Sequence, residues 1–321
     1  MKNKVVVIGS YNTDMTIKTK KIPDPGETVI GGFFSTGGGG KGANQAIAAA
    51  RLGADVSFIA RVGNDLLGQE AIQKLNEENI DTRFIFRDTE LPTGVAFIVV
   101  DDKAENSIVV ASGANAALSK EDIERVKSEI LSADILLVQL ESPVETIKDA
   151  IKKAHKKGAT VILNPAPAQK LDNDLLSNVD IITPNTVEAE MLTGIKVTDE
   201  ESLKHIVNEF FEFGVKNVLI TLGSKGYFAG LPNGMEYVPS FKVTSIDTTG
   251  AGDVFSGSLA AFLAEGIPLE KAAKMSNAAA SISVTRLGAQ NTAPKRAEVE
   301  EFIASYKVAE SEIASWFFYL K

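Results

Sequence analysis

Apolar residues recur along the chain in short unbroken runs separated by longer helical patterns. VVVI (5–8), VSFIA (56–60), ILLVQL (135–140), TVILN (160–164), DIIT (180–183) and VLIT (218–221) are apolar almost throughout rather than alternating. Such runs read as strands covered on both faces, the habit of a parallel sheet. Helical patterns fall between them. Ser142-Pro143-Val144-Glu145 reads as a capping box with proline at the first helical position, and Thr198…Glu201 as a second box. Strand and helix in alternation predict an α/β fold, with a central, mostly parallel sheet and helices on both faces.

Two regions break this rhythm. Residues from about 12 to 36 and from about 91 to 111 read as antiparallel strands, the second a hairpin turning near Asp102–Asn106. They predict a small antiparallel β lid on a main domain spanning 1–306. The tail KVAESEIASWFFYLK (Lys307–Lys321) contains the only tryptophan. It reads as a docked amphipathic helix, a subunit contact or an added segment, and carries no assigned role.

Composition narrows the chemistry. The chain has 321 residues, 44% of them hydrophobic, enough to bury a sizeable core. A formal net charge of −9 argues against a nucleic-acid partner, whose phosphates demand a basic face. Lys18, Lys20 and Lys21 read as a solvated loop. The absence of cysteine excludes disulfides, thiolate chemistry and cysteine zinc sites. The two histidines, His155 and His205, lie in charged helical stretches and are expected on helix surfaces. Ser-His-Asp schemes thereby lose their usual base. The start MKNKVVVIGSYN reads as a strand rather than a signal peptide, and no run approaches the roughly 20 apolar residues of a membrane span. A cytoplasmic protein with no membrane partner is expected.

Polar residues cluster just beyond the strand ends. Asn12 and Asp14 follow the first strand, Glu141 follows ILLVQL, Asn164 ends TVIL, Asn185 and Glu188 follow DIIT, and TLGSKG (Thr221–Gly226) follows VLI. Ligands of open α/β sheets bind beyond the carboxyl ends of strands, so these residues predict one shared site.

Two glycine-rich loops bear on its chemistry. In GGGGKGANQA, Gly37, Gly39 and Gly42 formally match G-x-G-x-x-G. That dinucleotide fingerprint requires an apolar strand immediately before it, and FFST stands there instead. Lys41 and Asn44 present a cation and an amide at a helix start. No P-loop is present, because Gly42 follows Lys41. In DTTGAGDVFSG, Gly250-Ala251-Gly252 lies at the start of an amphipathic helix, whose free N–H groups and dipole attract an anion. Asp253 opens that helix. It reads either as a helix N-cap or as the base that takes a proton from a hydroxyl attacking a phosphoryl group. The strand-end cluster favours the base.

The chain resembles the ribokinase-like family of carbohydrate kinases from about residue 4 to about 306. GGGGKGANQAIAAARLGADVSFIAR and DTTGAGDVFSGSLA are similar to its two signatures. GSYNTDM, PGETV, QLESP, LNPAPA, ITPNTVEAEMLTGI, ITLGSKG and TRLGAQ are similar to stretches of its ribose-phosphorylating members. The resemblance implies ATP-dependent phosphorylation of the 5-hydroxyl of D-ribose. It implies sugar contacts from Asn12, Asp14, Gly40, Lys41, Asn44, Glu141 and Asp253, with Asp253 as base and Gly250, Ala251 and Gly252 as anion hole. Asn185 and Glu188 would organise Mg2+ and phosphate, largely through water. Thr221, Gly223, Ser224, Lys225, Gly226 and Gly252 would contact the nucleotide, with Asn277 near adenine. A K+ site of a monovalent activator falls on Asp247, Thr249, Ser283, Arg286, Gly288 and Thr292. The lid would pair with a second copy, giving a homodimer.

Two departures stand out. The run Gly37–Gly40 has more glycine than the family pattern, which predicts a looser lid hinge, and the tail extends past the family's end. Other readings are a kinase for 2-deoxyribose or another sugar or nucleoside, a non-catalytic sugar-binding protein, and a nicotinamide-dependent oxidoreductase.

Overall fold

Strand β1 (Lys4–Ile8) is buried on both faces, and the rest of the molecule is arranged about it. Val5 and Val7 belong to one apolar core, Val6 and Ile8 to a second core on the opposite face. This is a computed structural model describing residues 4–103 and 105–306. The readings of the tail Lys307–Lys321, and of Ala104 in the hairpin turn, lie outside the described residues.

In chain order β1 is followed by β2 (Asn12–Lys18), β3 (Phe34–Gly39), α1 (Lys41–Arg51), β4 (Asp55–Gly63), α2 (Leu66–Glu77), β5 (Ile85–Asp88), β6 (Gly94–Val100) and β7 (Asn106–Ala111). Next come α3 (Lys120–Arg125), α4 (Lys127–Ile130), β8 (Ile135–Val138), α5 (Val144–Lys157), β9 (Thr160–Leu163), α6 (Asn173–Leu176), β10 (Ile181–Ile182), α7 (Thr186–Thr193) and α8 (Glu200–Glu212). The last part holds β11 (Asn217–Thr221), β12 (Gly226–Leu231), β13 (Gly234–Pro239), α9 (Ala251–Ala264) and α10 (Leu269–Ser283).

Nine strands form one sheet in the order β13-β12-β11-β10-β9-β8-β1-β4-β5, parallel from β11 through β5 and antiparallel only at the β12–β13 edge. Residues of α1, α2, α9 and α10 pack in the Val5/Val7 core, and those of α3 to α8 in the Val6/Ile8 core. The helices thus cover both faces, as expected. From β1 the chain runs outward through β4 and β5, then returns to add β8 on the other side. That reversal opens a crevice at the carboxyl ends of β1 and β8.

The second sheet has the order β3-β2-β6-β7. Both regions read as lid strands form antiparallel pairs, β2 with β3 and β6 with β7, and the two pairs meet through parallel β2 and β6. Most of the glycine run lies within a strand. Gly37, Gly38 and Gly39 are paired in β3 with Asp14, Thr13 and Asn12. A Cβ at Gly39 would lie 2.1 Å from Asp14 Oδ1, and one at Gly38 would lie 2.0 Å from Gln290 Oε1. These glycines admit side chains that cross the strand closely.

Three local expectations shift. Helix α5 begins after Pro143, with no side-chain cap. The box at α8 is Asp199 with Ser202, one residue beyond the expected pair; the Asp199 carboxylate accepts from Ser202 N–H at 2.9 Å. An acidic cap also complements the helix dipole. Helix α9 is buried on nearly every side rather than amphipathic, because it is wedged among α1, α10 and the sheet.

Helices α1 and α9 approach closely at Gly257, where an added Cβ would lie 2.3 Å from the Gln45 carbonyl oxygen and 2.8 Å from Ala48 Cβ. Gly257→Ala is expected to destabilise the protein by about 1–3 kcal/mol, despite alanine's better helix propensity. A denaturant-unfolding midpoint equal to that of the unaltered protein would contradict this packing.

Candidate active site

Asp253 stands in the first turn of α9 and is 5% exposed. It is not the helix cap. Gly250 is, in the left-handed region at φ 75°, with no side-chain cap bond. The Asp253 carboxylate instead bonds two side chains of α1. Asn44 Nδ2 donates to Oδ2 at 2.8 Å, and Gln45 Nε2 donates to Oδ1 at 2.9 Å. Ala251 N–H bonds the Thr248 carbonyl at 3.2 Å. The N–H groups of Gly252 and Asp253 lie in the same first turn, where a helix offers no internal acceptor.

Beside Asp253 is a polar cleft of about 140 Å3. Lys41, Asn164, Asn185, Glu188, Thr221 and the Gly250–Asp253 turn line it, with Thr183 and Thr248. Strands β9, β10 and β11 therefore deliver polar ends to one place, as their sequence positions predict. Asn185 and Glu188 form a reciprocal cap on α7: Asn185 N–H donates to Glu188 Oε2, and Glu188 N–H to Asn185 Oδ1, each at 2.8 Å.

The small sheet brings Asn12, Asp14 and Gly40 toward the same crevice. Gly40 caps α1 at φ 87°, and a Cβ there would lie 2.7 Å from Asn12 N. Glu141 Oε2 accepts from Lys41 N–H at 3.0 Å and from the Ser10 hydroxyl. Asn115, not picked out from sequence, donates through Nδ2 to Asn12 Oδ1 at 2.9 Å. Asn44 Oδ1 is buried with no hydrogen-bond partner among the described residues.

The expected nucleotide residues divide. Thr221 lines the cleft, whereas Gly223, Ser224 and Lys225 form a single turn on the surface between β11 and Gly226. Asn277 lines a separate, largely apolar cavity of about 390 Å3 with Phe241, Met275 and Tyr306. Ser240 N–H donates to the Lys225 carbonyl at 3.2 Å, joining this cavity to the turn. Asp247 Oδ1 accepts from Thr249 N–H at 2.9 Å and Oδ2 from Gly288 N–H at 3.0 Å, so two loops of the expected cation set meet. Arg286 reaches the Thr292 carbonyl at 3.4 Å and pairs with Glu298, while the Ser283 hydroxyl turns to the Ala280 carbonyl. No cluster of three or more acidic or histidine side chains suited to a metal occurs among the described residues.

The model of the pfkB family of carbohydrate kinases matches residues 2–296. The chain belongs to that family. It is 45% identical to a ribokinase of Haemophilus influenzae over 94% of this chain and 99% of the relative. It is 35% identical to a deoxyribokinase of Salmonella typhi, over 94% and 98%. The structure of Arabidopsis thaliana ribokinase complexed with ribose and ATP superposes with a TM-score of 0.87 at 32% identity, covering 94% of this chain and 99% of that one. No described helix of this carbohydrate kinase is long and apolar enough to cross a membrane.

Electrostatics distinguish the residues of this crevice. Asp253 first, then Glu141 and Glu188, raise the Lys41 ammonium above its ordinary value against the opposing effect of burial. Burial raises the Glu188 carboxyl. Asp247 is held low, because bonds from Gly288 and Thr249 outweigh its burial. Asp14 is pushed up from 3.8 to about 6, by burial first and then by the charges of Glu141 and Asp253.

The folded state therefore keeps the Asp14 proton to higher pH than the unfolded chain. Stability from this group is present below the unfolded value and is lost as pH rises toward 6. Without ligand, Asp14→Asn is expected to gain on the order of 1–2 kcal/mol over the unaltered protein between about pH 4 and about pH 8. Denaturant unfolding at the two pH values checks this; a stability difference that does not change with pH contradicts it.

Proposed function

We propose that this carbohydrate kinase transfers the γ-phosphoryl group of ATP to the 5-hydroxyl of D-ribose, giving ribose 5-phosphate and ADP. The observation that carries the reading is a buried carboxylate, Asp253, in the same helical turn as amides free to receive an anion. Asp253 Oδ2 takes the proton of the 5-hydroxyl. The oxygen bonds to the γ-phosphorus in line, and the bond to the β–γ bridging oxygen breaks to release ADP. The N–H groups at Gly250 and Gly252, joined by Ala251 N–H as it turns from the Thr248 carbonyl, stabilise the charge on the phosphoryl oxygens.

Asn12, Asp14, Gly40, Lys41, Asn44 and Glu141 hold the sugar. The unpartnered Asn44 Oδ1 supports this, because a buried carbonyl needs a donor and a sugar hydroxyl supplies one. Lys41 faces Asp253, Glu141 and Glu188 and so bridges sugar and phosphates. Thr221, Gly223, Ser224, Lys225 and Gly226 guide the nucleotide, and the apolar cavity beside Asn277 takes the adenine.

Asn185 Oδ1 and Glu188 Oε2 are spent on their mutual cap, which leaves Glu188 Oε1 to face the cleft. That donor suits Mg2+ held through water, and Mg2+ supplies charge neutralisation for the phosphates. At Asp247 the N–H groups of Thr249 and Gly288 hold the carboxylate ionised, and a hard, charged oxygen ligand of that kind fits K+. Asp247, Thr249, Ser283, Arg286, Gly288 and Thr292 would shape the anion-hole loop about that ion and do no chemistry.

A 2-deoxyribose kinase is the second reading, favoured by the resemblance to a deoxyribokinase at 35% identity. A site built to bond the 2-hydroxyl leaves polar atoms unpaired when that group is missing.

The lid is proposed to pair with a second copy. Strand β7 is exposed along its length, and Phe34, Phe97, Ile108 and Val109 are exposed on the same small sheet. A bare apolar edge of this kind is otherwise prone to aggregate.

Two measurements test these proposals. ADP release should follow added ribose far more than 2-deoxyribose, run faster in KCl than in NaCl, and fall about a thousandfold or more in Asp253→Asn with ribose affinity little changed. Full activity of that variant excludes the base; equal rates in the two salts exclude the cation site. Sedimentation should give twice the chain mass, and Val109→Asp should return a monomer. A monomer of the unaltered protein contradicts the lid pairing.

A further inference from the structure

We propose that Gln45 is a positioning residue for the base, acting through a buried chain of side-chain amides. The inference rests on the reading of Asp253 as the proton acceptor. Gln45 and Gln139 are fully buried, at 0% exposure, and line neither cavity, so neither can touch a substrate there.

The amide directions follow from what each terminus permits. A carboxylate and a peptide carbonyl only accept. Asn164 Nδ2 donates to the Thr183 carbonyl at 3.0 Å, which turns Asn164 Oδ1 toward Gln45. Gln45 Nε2 then faces two acceptors and donates to both, Asp253 Oδ1 and Asn164 Oδ1, each at 2.9 Å. Gln45 Oε1 is left to accept, and Gln139 Nε2 fills it at 2.6 Å. The far end, Gln139 Oε1, has no partner among the described residues and lies over Gly9, where an added Cβ would be 2.1 Å away. The end of β1 thus carries a glycine where the chain's terminal amide must fit.

The two donors to Asp253 differ in kind. Asn44 holds Oδ2 from the sugar side, and an incoming hydroxyl competes with it. Gln45 holds Oδ1 from the protein interior, where no ligand reaches. When Asn44 turns to the sugar, Gln45 still fixes the carboxylate plane and leaves Oδ2 as the accepting oxygen. A base misplaced by an ångström loses much of its advantage, so removing this donor should slow the chemical step without weakening ground-state binding.

Gln45→Met keeps length and removes the donor. With ribose and ATP as the probes, kcat is expected to fall about tenfold or more, while KM for each stays within about threefold. In the Asp253→Asn background the same change should cost nothing further, because Gln45 acts only through that carboxylate. An unchanged kcat in folded Gln45→Met overturns the inference, as does a raised KM for ribose with kcat intact. If Gln45→Met does not fold, Gln139→Met decides: a few-fold loss of kcat at constant KM supports the chain, and an unchanged kcat overturns it. Full activity of Asp253→Asn would sink the base reading itself. Loss in that variant with none in Gln45→Met sinks this inference alone.

Discussion

The architecture turns on one carboxylate kept inside the protein at the start of a buried helix. Taking an isolated carboxylate out of water costs several kcal/mol unless donors replace the lost solvent. Asp253 has its donors in place: amides from Asn44 and Gln45, and the positive end of the α9 dipole. Other features serve that arrangement. Gly257 lets α9 lie close enough to α1 for the two amides to reach. The small residues of α1 and α9 keep the helices at that distance, and α9 packs against the neighbouring strands β1 and β8.

The site also reconciles a crowd of acids with an anionic substrate. Asp253, Glu141 and Glu188 act on the Lys41 ammonium, and Asp14 adds a fourth carboxyl that feels Glu141 and Asp253. Carboxylates suit sugar hydroxyls, which need acceptors. Phosphates need donors, and on the proposed reading the backbone of the Gly250–Asp253 turn supplies them beside Lys41 and Mg2+. Two cavities stand apart, a small polar cleft beside Asp253 and a larger apolar one beyond the Lys225 turn, and the proposed reading puts phosphoryl transfer in the first and the adenine in the second.

Much of this was legible in the sequence because its signals are local. Strands β1, β4, β8, β9 and β11 are apolar runs covered on two faces, and such runs announce themselves. Strands β12 and β13 did not. Glycines break the pattern of GYFAGL, and one of them, Gly230, is there because the Val207 side chain packs against it. Caps moved by a residue, because Asp199 and Thr198 are both able to cap and only the packing of α8 chooses. The strand-end polar residues and DTTGAGD pointed to the site, since chemistry and position coincide in them. Gln45 and Gln139 were invisible as partners. Their bonds join residues 94 and 208 positions apart, and nothing but the folded sheet brings them together.

The central claim concerns where one oxygen lies when both substrates are present. A crystal structure with ribose and a non-hydrolysable ATP analogue tests it most directly. The account predicts Asp253 Oδ2 at about 3 Å from the ribose 5-oxygen, with the γ-phosphate analogue at the amides of the α9 turn. A carboxylate turned away, beyond about 5 Å from that oxygen and bridged by no water, would contradict it.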